Sequence, residues 1–251
     1  SVQRGYQVYR EVCSSCHGLK LMAYRNLGEP GGPYFDPEFP NPNDNPMVKA
    51  FAAEDQIEDG PDEVGDMFFR PGRPADTFRS PYANDNAARA ANNGALPPDL
   101  SVITKARHSG ATYVYNLLSG YATTDENGEI HVGGHGEGDH GGTLTVPTGQ
   151  YYNPYFAGDV TPSWDGDPRH TPPGGFLAMP PQLNEGRVDY LDGTEASVDQ
   201  MAYDVAQFLA WAGEPKQVNR KSLGLPVMIF LGFLALLLWI SFKRIWAGTD
   251  H

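Results

Sequence analysis

Two cysteines are all that the chain carries in 251 residues. That excludes a disulfide-dense scaffold and a four-cysteine zinc site. Positive charge is also scarce: 18 Lys and Arg stand against 31 Asp and Glu, a net of −13. A phosphate-binding surface needs the opposite balance, which argues against nucleic acid as the main partner and favours a basic partner or none. Internal repeats are missing. A mean hydropathy of −0.45 excludes a polytopic membrane protein but not a single span. Gly 29 and Pro 22 make the chain loop-rich, while 12% aromatic residues are too many for a disordered one. One domain with an appendage is the expected organisation.

The appendage lies at the end. Leu225 to Phe242 reads LPVMIFLGFLALLLWISF, without a charged residue. As a helix, 18 residues reach roughly 27 Å, close to the hydrocarbon core of a bilayer. Arg220 and Lys221 flank one end, Lys243 and Arg244 the other, and Trp239 and Trp246 stand where an aromatic belt would be. Residues 225–242 are therefore expected to span a membrane, with 216–224 a short link and 243–251 a tail. Basic residues on both flanks leave the orientation undecided by charge. Residues 216–251 hold five bases against one acid, net +4, which leaves −17 for residues 1–215. The opening Ser-Val-Gln-Arg carries no export signal; a mature chain would start this way, any such signal having been removed.

Within residues 1–215 the reading is mainly α with long loops. Val2, Tyr6, Tyr9 and Cys13 place a helix over 2–16. Residues 28–46 are dense in proline and glycine and read as loop. Residues 54–66, EDQIEDGPDEVGD, hold seven acids and no base: a solvated face, or a steering surface for a basic partner. A helix is expected over 111–120, ended by Gly120. The strongest helix is 196–212, with Ser197 and Gln200 as a capping box and an apolar face of Val198, Met201, Val205, Phe208, Leu209 and Ala212. No strand ladder is expected. His131, His135 and His140 lie in a glycine-rich stretch with Glu137 and Asp139, where a solvated loop is favoured over a metal site.

Both cysteines fall in Cys13-Ser-Ser-Cys16-His17. C-x-x-C-H is the attachment signal of c-type haem. Two thiols three positions apart project from one helical turn and can each add to a porphyrin vinyl group, and the adjacent histidine is placed as axial ligand. A thiol–disulfide pair would want a βαβ context, and a zinc site two further ligands; neither is present. One motif implies one haem. For the second axial ligand the spacing favours Met179, in Phe176-Leu177-Ala178-Met179-Pro180-Pro181, whose prolines stiffen the loop. Met22 is too near the motif, Met201 reads as core and Met228 as membrane; Met47, Met67 and the other histidines stay open.

The chain resembles the cytochrome c1 family. The resemblance rests on Val12–Gly18, on Ala91-Asn92-Asn93-Gly94-Ala95-Leu96-Pro97-Pro98-Asp99-Leu100-Ser101, on Lys105-Ala106-Arg107-His108, Tyr152-Asn153-Pro154-Tyr155-Phe156, Ala178–Pro181, Asp192-Gly193-Thr194 and Trp211–Pro215 ahead of the span. It implies a class I cytochrome c-like haem domain, in which Gly5 and Tyr9 meet a C-terminal helix carrying Phe208. It implies thioether links from Cys13 and Cys16 and axial ligation by His17 and Met179. Asn92, Pro97 and Pro98 are implied as haem-crevice residues, Arg107 as the partner of a propionate and Tyr113 as pocket lining, with Phe156 and Leu177 as further candidates. The implied role is a one-electron relay in a quinol-oxidising complex, from an iron–sulfur (Rieske) subunit to a soluble cytochrome c or a membrane-bound equivalent. Cytochrome b, the lipid bilayer and a dimeric complex are the implied companions. Covalent haem attachment takes place outside the cytoplasm, so residues 1–215 would face the periplasm or intermembrane space and the tail would face inward. Two rivals are a tethered cytochrome swinging on a linker and a membrane-anchored thiol–disulfide protein. Many bacterial relatives brace the loop before the ligand methionine with a disulfide; no cysteine remains here for one. Glu126–Gly142 has no counterpart in the resemblance.

Overall fold

Helix α1 (Val2–Val8) and helix α6 (Val198–Ala212) cross at Gly5, and the core grows from that crossing. A Cβ at Gly5 would overlap the Asp204 carbonyl oxygen and lie 2.7 Å from Phe208 Cβ. Glycine is what lets the two backbones come this close. Around the crossing, Tyr6 and Tyr9 meet the Phe208 ring at centroid distances of 5.6 and 5.7 Å. Phe51, Phe78 and Tyr34 surround Tyr6 edge-on, an arrangement that favours the ring quadrupoles. The buried Asp204 carboxylate takes the Arg4 Nε–H at 2.7 Å, and Arg4 also donates to Asp192 at 2.6 Å.

The computed structural model describes residues 1–133 and 141–248. It is mainly helical. α2 (Pro46–Ala53), α3 (Asp85–Ala91), α4 (Ile103–Ala106) and α5 (Ala111–Ser119) complete the body, and α5 packs along α6. Helix α6 matches its sequence signal: the Ser197 side chain accepts the Gln200 N–H at 3.1 Å, and Gly213 follows the last turn. The helix expected over 2–16 is shorter. After α1 the chain makes a π-helical turn over Tyr9–Cys13 and then a tight turn.

Strands are present, contrary to expectation. Among the described residues there are three two-stranded antiparallel hairpins: β1 (Gln56–Asp59) with β2 (Phe68–Pro71), β3 (Glu129–Val132) with β4 (Gly142–Thr145), and β5 (Tyr151–Asn153) with β6 (Gly175–Leu177). Residues 61–66, the far end of the acidic stretch, are all exposed, as are Met67, Phe68 and Phe69 after it. Leu144, Tyr152, Val160 and Trp164 form a second, smaller core that gathers the later loops.

Helix α7 (Gln217–Ile245) runs 29 residues, about 43 Å at the usual rise, and every residue in it is exposed. It is long and apolar enough to cross a membrane. It begins at Gln217, so the charged stretch read as a link forms its first turns, and only residues 213–216 separate it from α6. That joint is pinned. Lys216 pairs with Glu29 at 2.5 Å, while Glu214 takes Arg220 at 2.5 Å and Lys105 at 3.1 Å. Val218 lies over Gly31, where a Cβ would come within 2.6 Å of Val218 Cγ2.

Candidate functional site

The site begins with the π-helical turn. Its extra residue lets the Ser14 amide reach the Tyr9 carbonyl at 2.8 Å, and the chain then folds back so that the Cys16 and His17 amides both reach the Cys13 carbonyl, at 3.1 and 2.9 Å. The two serines between the cysteines are spent on backbone: Ser14 Oγ donates to Arg10 at 2.7 Å and Ser15 Oγ to Val12 at 3.1 Å. π-turns of this kind concentrate at functional sites. Cys13 and Cys16 are free, half-buried thiols. Burial pushes the Cys13 thiol up to about 12. A redox-active cysteine needs the opposite shift, toward thiolate.

His17 is held from one side. Its Nδ1 lies 2.7 Å from the Pro98 carbonyl, an acceptor, so Nδ1 carries the proton and Nε2 keeps its lone pair. Nε2 has no hydrogen-bond partner among the described residues. Burial holds the imidazole below its ordinary value and so in the neutral form that binds metal. Tyr9 Oη donates to the His17 carbonyl at 3.1 Å. The Pro97-Pro98-Asp99 string is laced to the motif: Leu100 N to Gly18 O at 2.9 Å, Lys20 N to Asp99 Oδ2 at 3.0 Å and Leu21 N to Ser101 Oγ at 3.1 Å.

The other expected residues lie around this frame. Asn92 closes α3, its Nδ2 donating to Ala88 at 2.7 Å and to the Tyr82 hydroxyl at 2.9 Å. The chain then turns through positive φ at Asn93 and Gly94. Tyr113 is half-buried on α5 against the main core. Arg107 stands apart, exposed, its guanidinium reaching, among the described residues, the Ala106 carbonyl at 3.1 Å and no acid. Leu177 is buried and Phe176 packs against the small core, while Phe156 is half-buried.

Of the six methionines, Met22 and Met201 are fully buried in the core, Met47, Met67 and Met228 are exposed, and Met179 is half-buried. Met179 follows β6 by two residues, and the Tyr121 hydroxyl donates to its carbonyl at 2.9 Å. Burial raises the Tyr121 phenol well above its ordinary value, so it stays a donor. Asn153 Nδ2 donates to Leu117 O at 2.7 Å and ties the same hairpin to α5. Sequence reasoning missed the roles of Tyr121, Tyr82 and Asn153, because each acts on a backbone or neutral group; Asn153 enters it only within the segment 152–156 of the family resemblance, without a role.

Asp125, Glu129 and His131 place one ligand atom each within 4.8 Å of one another. The Asp125 carboxylate already takes the Asn127 and Glu129 amides at 2.9 and 2.8 Å, closing the turn before β3. His135, Glu137, Asp139 and His140 lie outside the described residues.

The cytochrome c1 family model matches residues 1–249. A cytochrome c1 of Rhodospirillum rubrum is 43% identical over 250 residues, covering 100% of this chain and 82% of that one. A protein named cytochrome b/c1 from Bradyrhizobium diazoefficiens is also 43% identical, over 99% of this chain but 33% of its own length. A mitochondrial protein of Saccharomyces cerevisiae named cytochrome c1, heme protein, is 41% identical over 99% of this chain and 67% of its own. The π-turned C-x-x-C-H segment, the crossing at Gly5 and the long apolar helix thus sit in a sequence matched from end to end, and the chain belongs to the cytochrome c1 family.

Proposed function

We propose that this chain is the haem-bearing electron-transfer subunit of a membrane-bound quinol–cytochrome c oxidoreductase. The observation that carries the reading is the His17 geometry: Nδ1 spent on the Pro98 carbonyl at 2.7 Å, Nε2 open, and two free thiols on the preceding turn. This donor set fits haem c, two thiols for the vinyl groups and an imidazole for the iron. Haem c, when bound, supplies a one-electron Fe(II)/Fe(III) couple. Cys13 and Cys16 would hold it covalently, and His17 would ligate the iron through Nε2, its Nδ1 being held by Pro98. Met179 offers a neutral sulfur from a loop fixed to α5, which favours Fe(II) and raises the potential. Asn92, Pro97, Pro98 and Tyr113 would line its crevice and exclude water, and Arg107 would pair with a propionate. No substrate bond is made or broken on this chain.

The donor in this reading is a Rieske iron–sulfur protein and the acceptor a basic cytochrome c drawn to an acidic surface. Residues 1–215 face the periplasm or intermembrane space, α7 crosses the bilayer beside cytochrome b, and the complex is dimeric. Cytochrome b as neighbour is supported by the relative named cytochrome b/c1, three times the length it shares with this chain. The tethered-shuttle alternative needs a flexible linker. Residues 213–216, closed by the Lys216–Glu29 and Arg220–Glu214 pairs, are a poor one.

The test is purification through a tag on this chain from detergent-extracted membranes, read by reduced-minus-oxidised spectra. A c-type α-band on a haem-stained polypeptide, co-purifying with b-type haem and an iron–sulfur signal, is the expected result. The same c-type haem without those companions favours the shuttle. A colourless polypeptide overturns both.

A further inference from the structure

The chain leading into Met179 is attached to the end of α5 at three places. Asn153, fully buried, donates to the Leu117 carbonyl at 2.7 Å. The Tyr155 ring lies over Gly120, where a Cβ would come within 2.5 Å of it. The Tyr121 hydroxyl donates to the Met179 carbonyl at 2.9 Å. The β5–β6 pairing, Tyr152 opposite Phe176 and Tyr151 opposite Leu177, transmits the first two attachments to within two residues of Met179. Pro180 and Pro181 come next and have no amide hydrogen to donate. The Tyr121 bond is therefore the attachment at the methionine itself.

Resting on the reading of Met179 as the thioether ligand, we infer that Tyr121 is a positioning residue for it. Its hydroxyl fixes the peptide that presents the sulfur, and with Asn153 it does by hydrogen bonding what no cysteine is left to do covalently. A thioether binds weakly, so the ordering of its loop decides how often it is displaced. Removing one neutral hydrogen bond costs about 1 kcal/mol, which corresponds to about a fivefold change in the ligand-on to ligand-off ratio.

The test uses the full chain, haem attached, in detergent. Imidazole is added to the oxidised protein to compete with the native ligand, and loss of the methionine–iron charge-transfer band is followed. Tyr121→Phe keeps the ring and removes the donor, and should bind imidazole about fivefold more tightly than wild type. Asn153→Ser cuts the attachment to the Leu117 carbonyl and should move the same equilibrium in the same direction. Tyr115→Phe removes a hydroxyl from α5, which ends two residues before Tyr121; that hydroxyl is bonded to Asp199 and far from Met179 in the hydrogen-bond pattern, and its loss should leave imidazole affinity unchanged. Met179→Leu should abolish the band. If the band survives Met179→Leu, the ligand reading fails and the inference with it. If Met179→Leu abolishes it but Tyr121→Phe and Asn153→Ser titrate like wild type, the ligand stands and the positioning role is overturned. An equal shift in Tyr115→Phe also overturns it, since the effect would then be a general softening of α5.

Discussion

Gly5 has no room for a side chain. The atoms a methyl group would meet are the Asp204 backbone and Phe208 Cβ at 2.7 Å, neither of them the end of a flexible side chain. Gly5→Ala should therefore push α1 off α6. A cost of about 3 kcal/mol would lower the melting temperature of the extracted protein by about 6–12 °C; an unchanged melt would refute the tight crossing. The buried Asp204 makes a second test. Asp204→Ala leaves Arg4 with Asp192 as its one acid partner among the described residues and should cost about 3 kcal/mol, whereas Arg4→Met with Asp204→Leu should cost less than Asp204→Ala alone. Asp192 gives the pH dependence. Hydrogen bonds from Thr194, then the Arg4 guanidinium, hold its carboxyl down to about 2. Because the folded value lies below the unfolded one, its contribution is complete above about pH 4 and is lost as pH falls toward about 2. Asp192→Asn should lower stability near neutrality, where that contribution is complete, and flatten the acid-unfolding curve between about pH 4 and 2.

Helix α6 is the element most legible in the sequence, because Ser197, the apolar spacing and Gly213 all mark it independently. Ser197→Ala should cost about 1 kcal/mol, or about 2–4 °C in melting temperature, which a thermal scan would register. The π-turn at Tyr9–Cys13 was not legible: apolar spacing from Val2 to Cys13 suits a regular helix equally well, and one extra residue in a turn leaves no mark in it. The hairpins escaped for another reason. Gln56–Asp59 and Phe68–Pro71 are only four residues each and largely exposed, so they show no in–out alternation of hydrophobicity. At the site, Cys13, Cys16 and His17 announce themselves because their chemistry lies in side chains at fixed spacing. The Pro98 and Met179 carbonyls that receive His17 and Tyr121 are backbone atoms, and every residue has one; Pro98 entered the sequence reading only through the family resemblance.

Charge acts on the scale of the whole molecule. Residues 1–215 carry a net −17, and Asp62, Glu63 and Asp66 are exposed. Association with a basic acceptor should slow several-fold as ionic strength rises from about 0.01 to 0.1 M, as the Debye length falls from about 30 to 10 Å. Stopped-flow rates should show this, and replacing those three acids by amides should lower the low-salt rate and flatten the slope. A rate indifferent to salt would remove the steering role. The four residues between α6 and α7, with their ion pairs, bear on traffic at the same scale. A carrier mounted on so short a stalk keeps a constant height above the bilayer and a constant heading. It cannot fetch an electron or deliver one. In the proposed role it is a station, and both its donor and its acceptor must travel to it.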